Sequence, residues 1–300
     1  MLSIGIIAGL VAMFCWGIAD FIQAVLAKKL GTPKTVLISN SIGMVVNIAM
    51  ILVFFSLGYG YVLNRVESSI LIFACLLQAV ASFAFITAFE KGEVSIVAPL
   101  SGTYSLVTVL LAVFILGEVL TLYKIISIIF IILGIVLVST DFSKLKNLHT
   151  VNGVKEVLVA VLLWGVYFFL LAYIKDMYLL RAGVESSKLI LGMNIYLMTS
   201  LFGGIFSILI ALMLKAAIKR EDIKSNTAVL FFANLILYTA AWIAVNVGLV
   251  TELVSLLAPV SSLYPAITVL LAAIVLKEKL VKNQYIGLVT ILAGIFLLGF

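Results

Sequence analysis

Ten apolar stretches follow one another along almost the whole chain, at roughly 3–27, 35–58, 68–89, 94–116, 121–140, 153–174, 188–214, 227–249, 254–276 and 281–299. Each is close to the ~20 residues that cross a hydrocarbon core. A backbone in lipid must satisfy its own N–H and C=O groups, which leaves only helices or a closed barrel. Continuous runs of helical length, in place of ~10-residue alternating segments, select helices. With 65% hydrophobic and 11% charged residues, the 300-residue chain has too little charge for a surface facing water on all sides. The first stretch lacks a basic leader and runs on to Lys28 and Lys29, so it reads as a retained helix and not as a signal peptide.

The second half of the chain repeats the first. Residues 88–140 align without a gap on 248–300, with 19 of 53 positions identical. Val94-Ser95 matches Val254-Ser255, Ala98-Pro99 matches Ala258-Pro259, Tyr104 matches Tyr264, and Glu118 matches Glu278. Shared Pro, Ser, Tyr and Glu at one offset exceed what apolar composition produces by coincidence. A second echo sets Trp16-Gly17 against Trp164-Gly165. Each repeat therefore holds five spans, in units 1–140 and 153–300 joined by a connection at 141–152.

An odd number of crossings turns the second copy upside down, so the expected fold is an all-α membrane protein of ten transmembrane helices in two inverted five-helix repeats. Of the 19 Lys and Arg residues, 14 fall in the connections after spans 1, 3, 5, 7 and 9. The positive-inside rule places those connections in the cytoplasm and both termini outside. Lys175, Arg181 and Lys188, between spans 6 and 7, are the main exception.

The Trp-Gly pairs of spans 1 and 6, the Ala-Pro pairs of spans 4 and 9, and Gly117-Glu118 followed by Gly134 resemble the EamA family of the drug/metabolite transporter superfamily. The resemblance covers the whole chain and departs from the pattern at Lys277, where the first repeat has Gly117. It implies a transporter of small metabolites, often an exporter of amino acids or related compounds, in a bacterial or archaeal inner membrane. It also implies a cavity between the halves, lined mainly by spans 1, 3, 4, 6, 8 and 9, with spans 5 and 10 peripheral.

Asp20 lies inside the first span, where ionisation is costly, so it should face protein or water and could exchange a coupling proton. Trp16 and Gln23 share its helical face. Span 8 carries Asn234, Tyr238 and Trp242 at intervals of four, with Asn246 continuing the stripe. Gln78, Ser82 and Phe85 mark a face of span 3, whereas Asn40 and Asn47 of span 2 read as interhelical glue. Pro99 and Pro259 remove a backbone donor near the start of spans 4 and 9 and are candidate gates, with Tyr104 and Tyr264 beside them. The expected cargo contacts are Trp16, Asp20, Gln78, Tyr104, Trp164, Asn234, Tyr238, Trp242 and Tyr264. Glu90, Glu93, Glu118, Glu252 and Glu278 read as solvated helix ends, and Gly5 and Gly9 as a close-contact pair.

Cys15 and Cys75 fall in apolar spans as small hydrophobes, and His149 is a loop residue, so no metal site and no cofactor is expected. The chain has no phosphate-binding glycine loop, and its net charge of +6 follows from membrane topology, which leaves nucleic acid unsupported as a partner. The expected partners are a small-molecule substrate, the lipid bilayer and a coupling proton, with a monomer sufficient. The reading is a secondary transporter of a small neutral, zwitterionic or amphipathic solute and not an enzyme; an intramembrane lipid-modifying enzyme or a non-transporting lipid-binding subunit is the alternative.

Overall fold

A computed structural model describes residues 3–92, 94–139, 152–183, 188–219, 222–223, 225–275 and 282–297; some side chains within these ranges, Pro99 among them, lie outside the description. His149, Glu93, Lys277 and Glu278 also lie outside it. The described residues form twelve helices: α1 (Ile4–Leu30), α2 (Thr32–Ser56), α3 (Arg65–Lys91), α4 (Val94–Gly102), α5 (Tyr104–Ile115), α6 (Leu122–Ser139), α7 (Val154–Ala182), α8 (Lys188–Met213), α9 (Ser225–Thr251), α10 (Val254–Ser261), α11 (Tyr264–Val275) and α12 (Lys282–Leu297). Six of them, α1 to α3 and α7 to α9, are long and apolar enough to cross a membrane.

The remaining predicted spans take a different form. Span 4 is α4 plus α5 and span 9 is α10 plus α11, each interrupted shortly after its proline. Pro259, lacking an N–H, sits inside α10, and the helix ends two residues later. Spans 5 and 10 are α6 and α12, of 18 and 16 residues.

Local chemistry sets the long helix ends. The Ser3 hydroxyl accepts from the N–H of Ile6 at 3.2 Å, and Asn64 with Glu67 forms a reciprocal capping box at the start of α3. Gly31, at φ 81°, makes the tight α1–α2 turn that few other residues could adopt.

The two repeats run in opposite senses. Asn47 of α2 donates to the carbonyl of Leu197 in α8 at 3.2 Å, while Met44, earlier in α2, lies beside Gly204, later in α8. The second helix of each repeat is therefore antiparallel to its own counterpart. Asn283 of α12 likewise donates to Leu137 of α6, whereas Gly294 lies against Ile131 and Ser127.

Reciprocal contacts complete the pseudo-two-fold. Thr108 donates to the carbonyl of Gly165 at 3.2 Å and Thr268 to that of Gly17 at 3.0 Å. Tyr104 pairs with Ser261 at 3.1 Å and Tyr264 with Ser101 at 2.6 Å. A Cβ on Gly17 would stand 2.5 Å from Ile267, and one on Gly165 would stand 2.4 Å from Val107, so glycine at both sites lets α1 and α7 approach the broken helices. Gly5 and Gly9 permit similar closeness against Glu252 and Val260, as expected.

The described glutamates expected as solvated helix ends also carry hydrogen bonds; Glu90 is exposed as expected, while Glu118 and Glu252 are only partly so. Glu118 accepts the N–H groups of Val254 and Ser255 at 3.1 Å each, capping α10 from the other repeat. Glu90 accepts from the N–H of Thr32 at 2.7 Å, and Glu252 accepts from the Ser3 hydroxyl. A carboxylate beside a helix N-terminus is favoured by the unpaired N–H groups and the dipole, which outweighs simple solvation.

Candidate functional site

A cavity of about 210 Å³ lies between the repeats. All nine side chains expected to touch cargo line it: Trp16 and Asp20 from α1, Gln78 from α3, Tyr104 from α5, Trp164 from α7, Asn234, Tyr238 and Trp242 from α9, and Tyr264 from α11. Pro259 is buried in α10 outside the lining.

Two helices join the lining against expectation. α2 contributes Ser39, Asn40 and Gly43, and α8 contributes Tyr196, Thr199 and Ser207. These helices face one another across the pseudo-axis, where Gly43 and Gly203 leave room beside them. Asn40 donates to the carbonyl of Val36 at 2.9 Å and faces the cavity, whereas Asn47 is the interhelical glue expected of both. Tyr167 and Phe168 of α7 were also missed as site residues, although their spacing from Trp164 puts all three on one face.

Aromatic rings build most of the wall. Trp16 meets Trp242 edge-on at 5.1 Å, and Phe168 and Tyr264 at 6.3 and 6.2 Å. Phe168 stacks on Tyr104 at 5.1 Å and on Trp242 at 6.2 Å. Offset and edge-on pairs of this kind hold rings in fixed orientations.

Polar groups cluster on the α1–α9 side. Tyr238 donates its hydroxyl to Asp20 at 2.5 Å, and Asn234 donates to the carbonyl of Ala19 at 2.9 Å. Asp20 is 4% exposed, and among the described residues the cavity lining contains no Lys, Arg, His or Glu. Five buried polar atoms of the lining have no protein hydrogen-bond partner: Gln23 Oε1, Ser39 Oγ, Gln78 Oε1, Trp164 Nε1 and Tyr167 Oη. Such atoms are costly unless something else bonds them. Among the described residues no cluster of His, Cys, Asp or Glu could hold a metal ion.

The cavity sits toward one end of the bundle. Its lining comes from the later parts of α1 and α3 and the earlier parts of α2 and α9, the end that carries Lys28, Lys29, Lys34 and Lys91. The far end is tied shut. Arg181 of α7 donates to both carboxylate oxygens of Glu67 and to the carbonyl of Val62, and Asn194 of α8 bridges the N–H of Val62 and the carbonyl of Gly60.

The EamA-like transporter family model matches residues 3–140 and again residues 152–300. The chain belongs to the EamA-like transporter family. It is thus a multi-pass membrane transporter of the drug/metabolite superfamily. This EamA-like transporter is similar to an uncharacterized protein of Methanocaldococcus jannaschii, at 28% identity over 134 residues, 45% of this chain and 95% of that protein. That relative is therefore about one repeat long. A crystal structure of another protein shares the fold of this EamA-like transporter, with a TM-score of 0.73 at 15% identity, covering 98% of this chain and 95% of the other.

Proposed function

We propose that this EamA-like chain is a secondary transporter that moves a small neutral, zwitterionic or amphipathic metabolite, amino-acid-like or aromatic, by alternating access. The observation that carries the reading is the cavity itself, contributed by both inverted repeats, ringed by aromatic side chains and tied shut at one end by Arg181 and Glu67. A cavity of about 210 Å³ is smaller than the ~300–1,000 Å³ of sites for drug-sized ligands, which suits a metabolite of amino-acid dimensions.

The chain crosses the membrane ten times in this reading, with the broken pairs α4–α5 and α10–α11 each counting as one crossing. Both termini lie outside the cytoplasm of a cell inner membrane, and the cavity faces inward. Pro99 and Pro259 mark the gates that rock when the other end opens, and Asp20 carries the coupling proton. Net movement is export or exchange, by one chain acting as a monomer, since it supplies both halves of the site.

The test is uptake into liposomes of a labelled panel of amino acids, nucleosides and aromatic amines, with and without a pH gradient, for wild type and Asp20→Asn. Saturable uptake driven by the gradient and lost in the variant is the expected result. Uptake that rises linearly without saturation would replace the carrier with a channel.

A further inference from the structure

The two walls of the cavity are related by the duplication and have diverged at matched positions. The alignment that sets Trp16 on Trp164 sets Asp20 on Phe168, and both side chains line the cavity. The 160-residue offset sets Gln78 on Tyr238 in the same way. One wall thus has an acid bonded to a phenol, and the other has a phenyl ring stacked on Tyr104 and Trp242.

A buried carboxylate requires a countercharge or a proton. Among the described residues, the ionisable side chains that share the cavity with Asp20 are phenols: Tyr104, Tyr167, Tyr196, Tyr238 and Tyr264, from α5, α7, α8, α9 and α11. Lys34, Lys91 and Arg181, nearer the two ends, are engaged by Asp222, Glu156 and Glu67. One helical turn along from Asp20, Gln23 Oε1 is a buried acceptor without a partner, and Ser39 Oγ is a second unpartnered group in the same cavity. Acceptors beside an acid, with ring faces opposite, are what a protonated amine on an aromatic body requires.

Resting on the transporter reading for the site's purpose, we propose that the cargo is a primary amine carrying a small aromatic body. Its ammonium group pairs with Asp20 and donates to Gln23 Oε1, and its ring lies against Phe168 and Trp242. A lone carboxylate on the ligand would meet Asp20 with no basic partner to offset the repulsion. A neutral ring of the same size would leave Asp20 without its countercharge.

The probes are 2-phenylethylamine, 2-phenylethanol and 3-phenylpropionate, titrated calorimetrically into the detergent-solubilised full chain at neutral pH. The amine is expected to bind at least about tenfold tighter than the alcohol, and the acid more weakly than either. Asp20→Asn levels amine and alcohol, Asp20→Glu retains the preference, and Gln23→Leu reduces it. Equal binding of amine and alcohol, tighter binding of the acid, saturable binding of none, or an amine preference that survives Asp20→Asn each overturns the proposal. Size-exclusion elution and melting of each variant establish that it is folded. Flux of the same probes in vesicles separates the two conclusions. Asp20-dependent amine binding without flux removes the transporter reading and keeps the amine site; flux of a solute with no amine preference does the reverse.

Discussion

Arg181 holds both carboxylate oxygens of Glu67, at 3.1 and 2.9 Å, and so joins the last turn of α7 to the first turn of α3. Glu67 is 1% exposed, and the pair crosses between the repeats at the end opposite the cavity. It also accounts for one basic residue that ran against the charge bias of the connections.

Removing the guanidinium by Arg181→Gln leaves Glu67 with its capping bonds and no countercharge. The expected loss is about 1–3 kcal/mol, below that of a fully buried pair because Arg181 is partly exposed. Arg181→Lys restores part of it, since an ammonium cannot reproduce the two-point grip. Melting in detergent checks the energy. Aqueous quenching of tryptophan fluorescence checks the gate, and is expected to increase in Arg181→Gln.

Gly17→Ala and Gly165→Ala are expected to cost about 1–3 kcal/mol each, because the new methyl meets Ile267 or Val107 inside contact distance and also crowds a carbonyl. Gly203→Ala, with nothing within 4 Å of the added atom, should change stability by no more than about 0.5 kcal/mol. Similar melting temperatures for all three variants would contradict the close approach of α1 and α7 to the broken helices.

Tyr104→Phe and Tyr264→Phe each remove one hydroxyl from a serine that remains bonded to a carbonyl, Ser261 to Ala258 and Ser101 to Ala98. Each loss is expected to be about 1 kcal/mol. The pairs share no hydrogen-bond partner, so the double variant should be additive to within about 0.5 kcal/mol by chemical unfolding.

Acid affects the connection between α8 and α9. The N–H of Lys219 at 2.7 Å and the Lys34 ammonium at 3.0 Å hold the Asp222 carboxyl below its ordinary value of 3.8. A depressed carboxyl contributes stability above the unfolded value and loses it as pH falls through the folded one. Asp222→Asn should therefore melt below wild type at neutral pH, and the gap should close at pH values under 3.8. A gap that widens on acidification would reverse the sign of the contribution.

The inward faces of α1 and α9 were legible in the sequence because polar residues at helical spacing inside an apolar span have only the interior to face: Asp20 and Gln23 on one, Asn234 and Tyr238 on the other. The inversion was legible because the five apolar stretches read in each repeat make an odd number. The lining from α2 and α8 was not, since Ser39, Gly43 and Thr199 are small groups that pack between helices as readily as they border a cavity. Glu118 was misread for another reason: the N–H groups it accepts are on residues 254 and 255, and no local pattern reports a partner so distant. The prolines signalled a disturbance in spans 4 and 9, but each break falls a few residues later, where hydroxyls of Ser101 and Ser262 bond the carbonyls of Ala98 and Pro259.

The mismatch of Asp20 with Phe168 has a consequence for how such a molecule can change over generations. An assembly of two identical half-length chains must present the same residue at both positions, because symmetry copies every substitution to the facing wall. Joining the copies in tandem removes that constraint. A single codon change now alters one wall and leaves its twin intact, so an acid on one side can be kept while a ring is fitted on the other.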